Sequence, residues 1–320
     1  MKLILTGATG FVGKQILEKI LEEITSFDVT VIGRSKPENF KGSTFFQANI
    51  DENSNYDSAL TDGDVVIHSA ARAHIMDDKS ADPLTAFRDV NTLGTINFAK
   101  QAAKAGVKRF VFISSIKVNG ESTELNKPFK PDGNYIPNDP YGLSKYEAEV
   151  GLKEIAHKTG MEIVIIRPPL VYGAGVKANF ASMMKWVNKR LPLPLGGIKE
   201  NKRSLVAVEN LVDLIVTCIE HPKAANQTFL VSDDEDVSTT GLLKNMAKAL
   251  NAPNRLLPIP ASWFNIASKL LCKPAISQRL CGSLQVDISK TKELLDWKPP
   301  YSSAECMKKT ADAFLKNLNK

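Results

Sequence analysis

Apolar residues in this chain cluster in short, almost unbroken runs separated by longer stretches in which they recur every three or four positions. "KLILTG" (2–7) is followed by "FVGKQILEKILEEI" (11–24), a strand pattern and then a helix pattern. "DVTVIG" (28–33), "STFFQANI" (43–50), "DVVIHSA" (64–70), "RFVFISS" (109–115) and "MEIVIIRP" (161–168) are further strand runs. The segments 83–106 and 139–160 between them read as helices, the second stopped by Gly160. Continuously apolar strands alternating with helices predict a parallel sheet covered on both faces. Right-handed crossovers then make it a doubly wound α/β sheet of the Rossmann type.

After Arg167 the rhythm changes. "PPLVYGAG" (168–175) reads as an irregular segment leaving the sheet, "LPLPLGG" (191–197) as extended chain, and "QTFLVS" (227–232) as one returning strand. Residues 238–320 are mostly helical with proline breaks. The expected organisation is a dinucleotide-binding domain over 1–170, joined by the strand near 227–232, and a smaller, interleaved, mainly substrate-binding domain over 171–320.

Composition changes this picture little. The 320 residues are 43% hydrophobic and 24% charged, as in ordinary globular proteins. No stretch approaches the roughly 20 apolar residues that cross a bilayer, and the start does not read as a signal peptide, so a cytoplasmic protein is expected. Cys218, Cys272, Cys281 and Cys306 lie far apart, and the four histidines lack ligand spacing, which argues against a metal or disulfide framework. The net charge of +6 is scattered rather than massed, so nucleic acid is not the expected partner; a phosphorylated ligand accounts for it more simply.

Candidate chemistry lies at the strand ends. "TGATGFVG" (6–13) puts Gly7, Gly10 and Gly13 between the first strand and the first helix. There glycines permit a tight turn and bring a pyrophosphate close to backbone N–H groups. The second strand ends in Gly33 where an NAD-binding chain usually carries an acid, and Arg34 and Lys36 follow. A guanidinium in place of a carboxylate favours a 2′-phosphate, hence NADP(H), with NAD(H) the alternative. "YGLSK" places Tyr141 and Lys145 four apart on one helix face. A nearby ammonium is expected to lower the tyrosine's pKa and make it a usable acid/base.

The order of these elements, with "HSAA" (68–71), "NTLGT" (91–95), "FISS" (112–115) and "IIRPPLVYG" (165–173), resembles the extended short-chain dehydrogenases/reductases. Within them it is similar to the NAD-dependent epimerase/dehydratase family, which includes UDP-sugar C4-keto reductases and UDP-glucose or UDP-N-acetylhexosamine 4-epimerases. "NKRSLVAVENLVD" (201–213) and "SLQVDISKTKELLDWKPP" (283–300) extend the resemblance over nearly the whole chain. It implies a UDP-sugar substrate and a homodimer. Ser115, Tyr141 and Lys145 would be the catalytic set. Gly7, Thr9, Gly10, Phe11, Val12, Gly13, Arg34, Asn49, Ile50, Ala70, Ala71, Asn91, Ser114 and Pro168, with Tyr141 and Lys145, would line the cofactor. Ser115, Lys117, Asn179, Arg203 and Arg279 would meet the substrate. His68 is expected to be a packing residue, and His74 has no assigned role.

In the family's dehydratases an acidic pair follows the catalytic hydroxyl; here Ile116 and Lys117 stand in those places. Neither suits proton donation to a leaving hydroxyl, so a 4,6-dehydratase is not expected. Two redox readings survive. The favoured one is a C4-keto reductase of a UDP-6-deoxy-N-acetylhexosamine intermediate in surface polysaccharide synthesis, because Gly33-Arg34 suits NADP(H); the other is a UDP-sugar 4-epimerase. A catalytically silent cofactor-binding sensor or scaffold remains as a reading of another class. The amphipathic stretch 261–273 could lie on a membrane, but packing is the preferred use of such a stripe.

Overall fold

The computed structural model describes residues 1–318 except 24–25, 39, 41–43, 74–81, 134 and 265–273. His74 and most of the amphipathic stretch 261–273 lie outside the described residues, whereas Trp263 within it is 66% exposed.

Seven parallel strands form the main sheet: β1 (Lys2–Thr6), β2 (Asp28–Gly33), β3 (Thr44–Gln47), β4 (Val65–His68), β5 (Arg109–Ile113), β6 (Glu162–Arg167) and, later in the chain, β9 (Thr228–Leu230). Their spatial order is β3-β2-β1-β4-β5-β6-β9. The order reverses at β1, which has β2 on one side and β4 on the other, so a crevice opens beyond the carboxyl ends of β1 and β4.

Side-chain alternation divides the core in two. Leu3, Leu5, Val31, Ile67, Val111 and Ile166 pack against α1 (Phe11–Glu23) and α7 (Val208–Glu220). Ile4, Ile32, Val66, Phe110, Phe112 and Ile165 face α2 (Asp57–Leu60), α4 (Thr95–Lys104) and α5 (Pro140–Thr159). Both faces being apolar is what made the strand runs continuous. No helix among the described residues is long and apolar enough to cross a membrane.

Three segments differ from the sequence-based expectation. "LVY" does not leave as irregular chain but forms β7 (Leu170–Tyr172), which pairs in parallel with β8 (Arg203–Ala207); β10 (Asp236–Val237) adds an antiparallel edge. Three residues are too few for alternation to show. The segment 83–106 is also not one helix. It breaks into α3 (Pro83–Arg88), a π-helical turn (Asp89–Gly94) and α4. Gly94 explains part of the break: a Cβ there would lie 2.8 Å from the Ile50 carbonyl, so helix and loop are nearly in backbone contact.

Among the described residues the smaller layer includes the three-stranded sheet, α6 (Ala178–Asn188), α8 (Thr239–Ala249) and the helices Pro274–Cys281 and Ser303–Leu318, whereas the helix Ser289–Leu295 packs beside β9, Thr291 donating to the Leu230 carbonyl at 2.6 Å. Its own core joins Tyr172, Phe180, Met184, Leu243, Met246 and Met307. "LPLPLGG" is the third departure and is not extended throughout: a turn at 194–196 separates two single bridges, Leu193 to Leu256 and Gly197 to Pro260.

Candidate active site

The glycine turn sits at the mouth of the crevice. Gly7 has φ +75°, and a Cβ on it would lie 2.6 Å from the Ala70 nitrogen. A Cβ on Gly13 would be 2.1 Å from the Gly7 carbonyl, so α1 begins in backbone contact with the end of β1. The Gly10 N–H donates to that same carbonyl at 2.9 Å, with Thr9 on the turn and Phe11 and Val12 in the first turn of α1. A helix start has unpaired N–H groups and favours anions, and glycines alone allow its close approach to the sheet. The arrangement fits the pyrophosphate of a dinucleotide.

The rest of the proposed cofactor lining follows the sheet edge. Asn49 and Ile50 lie just after β3, the Asn49 carbonyl accepting the Tyr56 hydroxyl at 2.7 Å. Arg34 is exposed beyond β2. Ala70 and Ala71 follow β4, where the Ala70 N–H donates to the Thr6 hydroxyl at 3.3 Å. Asn91, fully buried in the π-helical turn, accepts from the Arg72 N–H at 2.8 Å and donates to the Arg72 carbonyl and to the Ser144 hydroxyl, each at 3.0 Å. Its amide therefore pins the loop after β4 to α5. The Pro168 carbonyl accepts the Ile116 N–H at 2.9 Å and holds the turn after Ser115.

Ser115 leaves the end of β5 in an extended conformation, and its hydroxyl accepts the Lys117 N–H at 3.3 Å. Tyr141 enters from the first turn of α5, capped by Asp139, and hydrogen-bonds with the Ser115 side chain. Tyr141 is partly exposed as a residue, yet its hydroxyl lies deep among protein atoms, and burial pushes the phenol up to about 12. Asp139 adds to the rise and the Ser115 contact opposes it. This reverses the direction expected from the lysine spacing: desolvation dominates, and the neighbouring groups that act on the phenol are Ser115 and Asp139.

Lys145 explains why. It is 1% exposed, donates to the Ile113 carbonyl at 3.0 Å and lies 4.4 Å above the Phe112 ring. Burial lowers it to about 7, against a partial restoring pull from Glu149. Its charge is therefore only partly developed near neutrality.

Beneath these residues runs a buried network that the sequence reading missed. The Ser114 hydroxyl donates to Glu149 at 2.6 Å. Arg167 holds both Glu149 oxygens, at 2.9 and 2.5 Å, and donates as well to Asn119 and to the Pro131 carbonyl. Glu149 lies four residues beyond Lys145, and Arg167 follows the apolar run 163–166 of β6; those two charges were the available signal. His68 packs among Phe98, Phe110 and Phe112, with its ring nitrogens 2.8 and 3.0 Å from the hydroxyls of Thr6 and Thr95. Burial and the nearby Lys145 depress it to about 3, so it stays neutral.

The residues expected to meet the substrate are spread more widely. Arg203 and Arg279 come together, the Arg203 guanidinium donating to the Arg279 carbonyl at 3.1 Å. Asn179 is exposed in the first turn of α6. Lys117 does not reach outward: its ammonium contacts Asp139 and Glu121, both at 2.9 Å.

The chain belongs to the NAD dependent epimerase/dehydratase family, whose pattern it matches over residues 3–232. It is an enzyme of that type. It is 52% identical over 318 residues to a UDP-glucose 4-epimerase of Vibrio cholerae, an alignment covering 99% of this chain and 97% of the relative. It is 29% identical over 325 residues to an N-acetyl-alpha-D-glucosaminyl-diphospho-ditrans,octacis-undecaprenol 4-epimerase of Escherichia coli O157:H7, covering 96% and 93%. Among solved structures, a UDP-glucuronic acid 4-epimerase of Bacillus cereus in complex with NAD superposes with a TM-score of 0.80 at 22% identity, covering all of both chains.

Proposed function

We propose that this protein is a UDP-sugar 4-epimerase that retains NAD between turnovers. Residues 1–170 with the strand near 227–232 would hold the dinucleotide, and the remainder of 171–320 the sugar nucleotide. The observation that carries the proposal is the 52% identity to a UDP-glucose 4-epimerase over almost the full length, and it is supported by Ser115 leaving the end of β5, where Lys145, one turn beyond Tyr141 on α5, holds the Ile113 carbonyl.

Bound NAD supplies a reversible hydride acceptor for the sugar C4, and its cationic nicotinamide lowers the pKa of a neighbouring phenol. Tyr141 takes the C4 hydroxyl proton as the carbon is oxidised, and Ser115 hydrogen-bonds the reacting oxygen. Lys145 adds positive charge beneath the phenolate. After the keto sugar turns its other face, the Tyr141 hydroxyl returns the proton to the oxygen. Arg203, Arg279 and Asn179 would grip the diphosphate. Exposed Leu93 and Val150, on the π-helical turn and α5, support a homodimer packed through that face.

A C4-keto reductase is the second reading, favoured by Gly33-Arg34, which leaves β2 without a terminal carboxylate and suits NADP(H). Denaturing freshly purified protein and identifying the released dinucleotide separates the two. Near-stoichiometric NAD(H), with interconversion of UDP-glucose and UDP-galactose or their N-acetyl forms, is the expected result. An empty protein that binds NADPH more tightly than NADH would overturn it in favour of the reductase. Tyr141→Phe should lose turnover by orders of magnitude while still binding cofactor; unchanged turnover would point to a non-catalytic role for this site.

A further inference from the structure

We propose that Lys117 is a positioning residue: its ammonium ties the turn after Ser115 to Asp139, the cap of the helix that carries Tyr141, and neutralises that carboxylate next to the reacting phenol. The inference deepens the reading of Tyr141 as acid/base and rests on it.

The geometry has two parts. Asp139 caps α5 by accepting the Gly142 N–H at 3.0 Å, so its carboxylate wraps the turn in which Tyr141 sits. The same oxygen, Oδ1, takes the Lys117 ammonium at 2.9 Å, and Glu121 takes it from the other side. Gly142 marks how closely the segments meet. A Cβ there would lie 2.5 Å from Asp139 Oδ2, 3.0 Å from Pro137 Cβ and 3.2 Å from the Lys117 carbonyl. Ser115 and Tyr141 thus approach one another across a joint closed by backbone contact and by one ammonium. Lys117 occupies a place where the family's dehydratases carry an acid; in this chain the charge is reversed and turned inward.

The electrostatic consequence follows from sign. A carboxylate beside Tyr141 disfavours the phenolate, and Asp139 raises its pKa. Among the described residues, charged groups on the elements packed nearby include Lys145 on α5, Glu121 beyond Lys117, and Arg72 after β4. Arg72 stacks on Phe87 at 5.8 Å, and Phe87 meets the Tyr141 ring edge-on at 5.8 Å. Lys117 is the cation in direct contact with Asp139. Glu121 and Asp139 both hold the ammonium in its charged form, although burial opposes them.

The test compares Lys117→Met, Lys117→Arg, Asp139→Asn and the double variant Lys117→Met/Asp139→Asn in the full chain. Asparagine keeps the cap and drops the charge. Two readouts are taken: the pH dependence of kcat/KM with UDP-glucose, and tyrosinate absorbance with NAD present, referenced to the Tyr141→Phe protein. Lys117→Met should move the Tyr141 ionisation upward by roughly half to one pH unit, less than a fully buried charge would because the pair is partly exposed. Arginine, and the double variant, should return it to within a few tenths.

A double variant no better than Lys117→Met would overturn the electrostatic role. A raised KM in Lys117→Met with an unmoved ionisation would overturn it in favour of substrate contact. Should Tyr141→Phe keep its turnover, the acid/base reading fails instead, and the absorbance titration still reports whether Lys117 tunes Tyr141.

Discussion

Replacing Lys145 by methionine should stabilise the protein at neutral pH while abolishing its turnover. The ammonium is 1% exposed, and burial lowers its pKa from 10.5 to about 7. At about 1.36 kcal/mol per pH unit, that drop amounts to roughly 5 kcal/mol of native-state penalty at and below pH 7. Methionine is similar in length and carries no charge to desolvate. It forfeits the hydrogen bond to the Ile113 carbonyl, about 1 kcal/mol, while the pull of Glu149 is already contained in the lowered pKa. A net gain of roughly 3–4 kcal/mol remains, which for a chain of this size is about 4–6 °C in Tm.

The pH dependence supplies the sharper check. Between pH 7 and 10.5 the unfolded chain binds more protons at this lysine than the native state does. Wild-type stability therefore rises with pH through that window, and the gap to the variant narrows toward pH 10.5. Urea midpoints of both proteins at pH 7 and 9.5, with thermal scans beside them, measure it. A Lys145→Met protein less stable than wild type at pH 7, or a gap of the same size at both pH values, would refute the reasoning.

Arg167→Met should cost about 3–5 kcal/mol in urea unfolding, because it leaves the buried Glu149 without its ion pair; a loss under about 1 kcal/mol would mean that water reaches the carboxylate. His68, depressed from 6.5 to about 3, makes the native state lose stability as pH falls below 6.5. Between pH 7.5 and 5 this amounts to about 2 kcal/mol, and His68→Gln should lack that part of the slope in urea titrations. Gly13→Ala should fold but bind dinucleotide at least about tenfold more weakly by calorimetry, since a Cβ 2.1 Å from the Gly7 carbonyl forces α1 away from β1; unchanged affinity would place the dinucleotide elsewhere.

The sequence was informative where one physical demand dominates a position. The inner strands, buried on both faces, are largely apolar and were visible as continuous runs, and the half-exposed edge strand β3 showed through its paired phenylalanines. The cradle was visible because only glycine tolerates Gly7 at φ +75° and Gly13 against a backbone carbonyl. Harder to read were features set by tertiary partners. β7 is a strand because β8, more than thirty residues later, pairs with it. The π-helical turn exists where Gly94 meets the Ile50 carbonyl and Asn91 clamps Arg72, neither of which leaves a periodic trace. The pKa of Tyr141 could not be read from Y-x-x-x-K, because spacing gives the lysine's position on the helix but not its desolvation.

The buried charges explain why the site lies at this joint of the fold. Lys145, Glu149 and Arg167 are each almost fully enclosed, and a native state chosen for stability alone would place apolar side chains there. Arg167 ends β6, Ser114 follows β5, and Glu149 and Lys145 share a face of α5, so the network joins two strand ends to the helix bearing Tyr141. A tyrosine that must gain and lose a proton at neutral pH needs a fixed position and a tunable field. The enclosed network fixes Lys145 one helical turn beyond Tyr141 on α5, and on the reading proposed above the half-buried Lys117–Asp139 pair would tune the field at the phenol. Burial alone would leave Tyr141 near 12, too weak an acid for this role. In the proposed epimerase the cation of an oxidised nicotinamide would supply the remaining shift, which would couple the tyrosine's readiness to the cofactor's redox state.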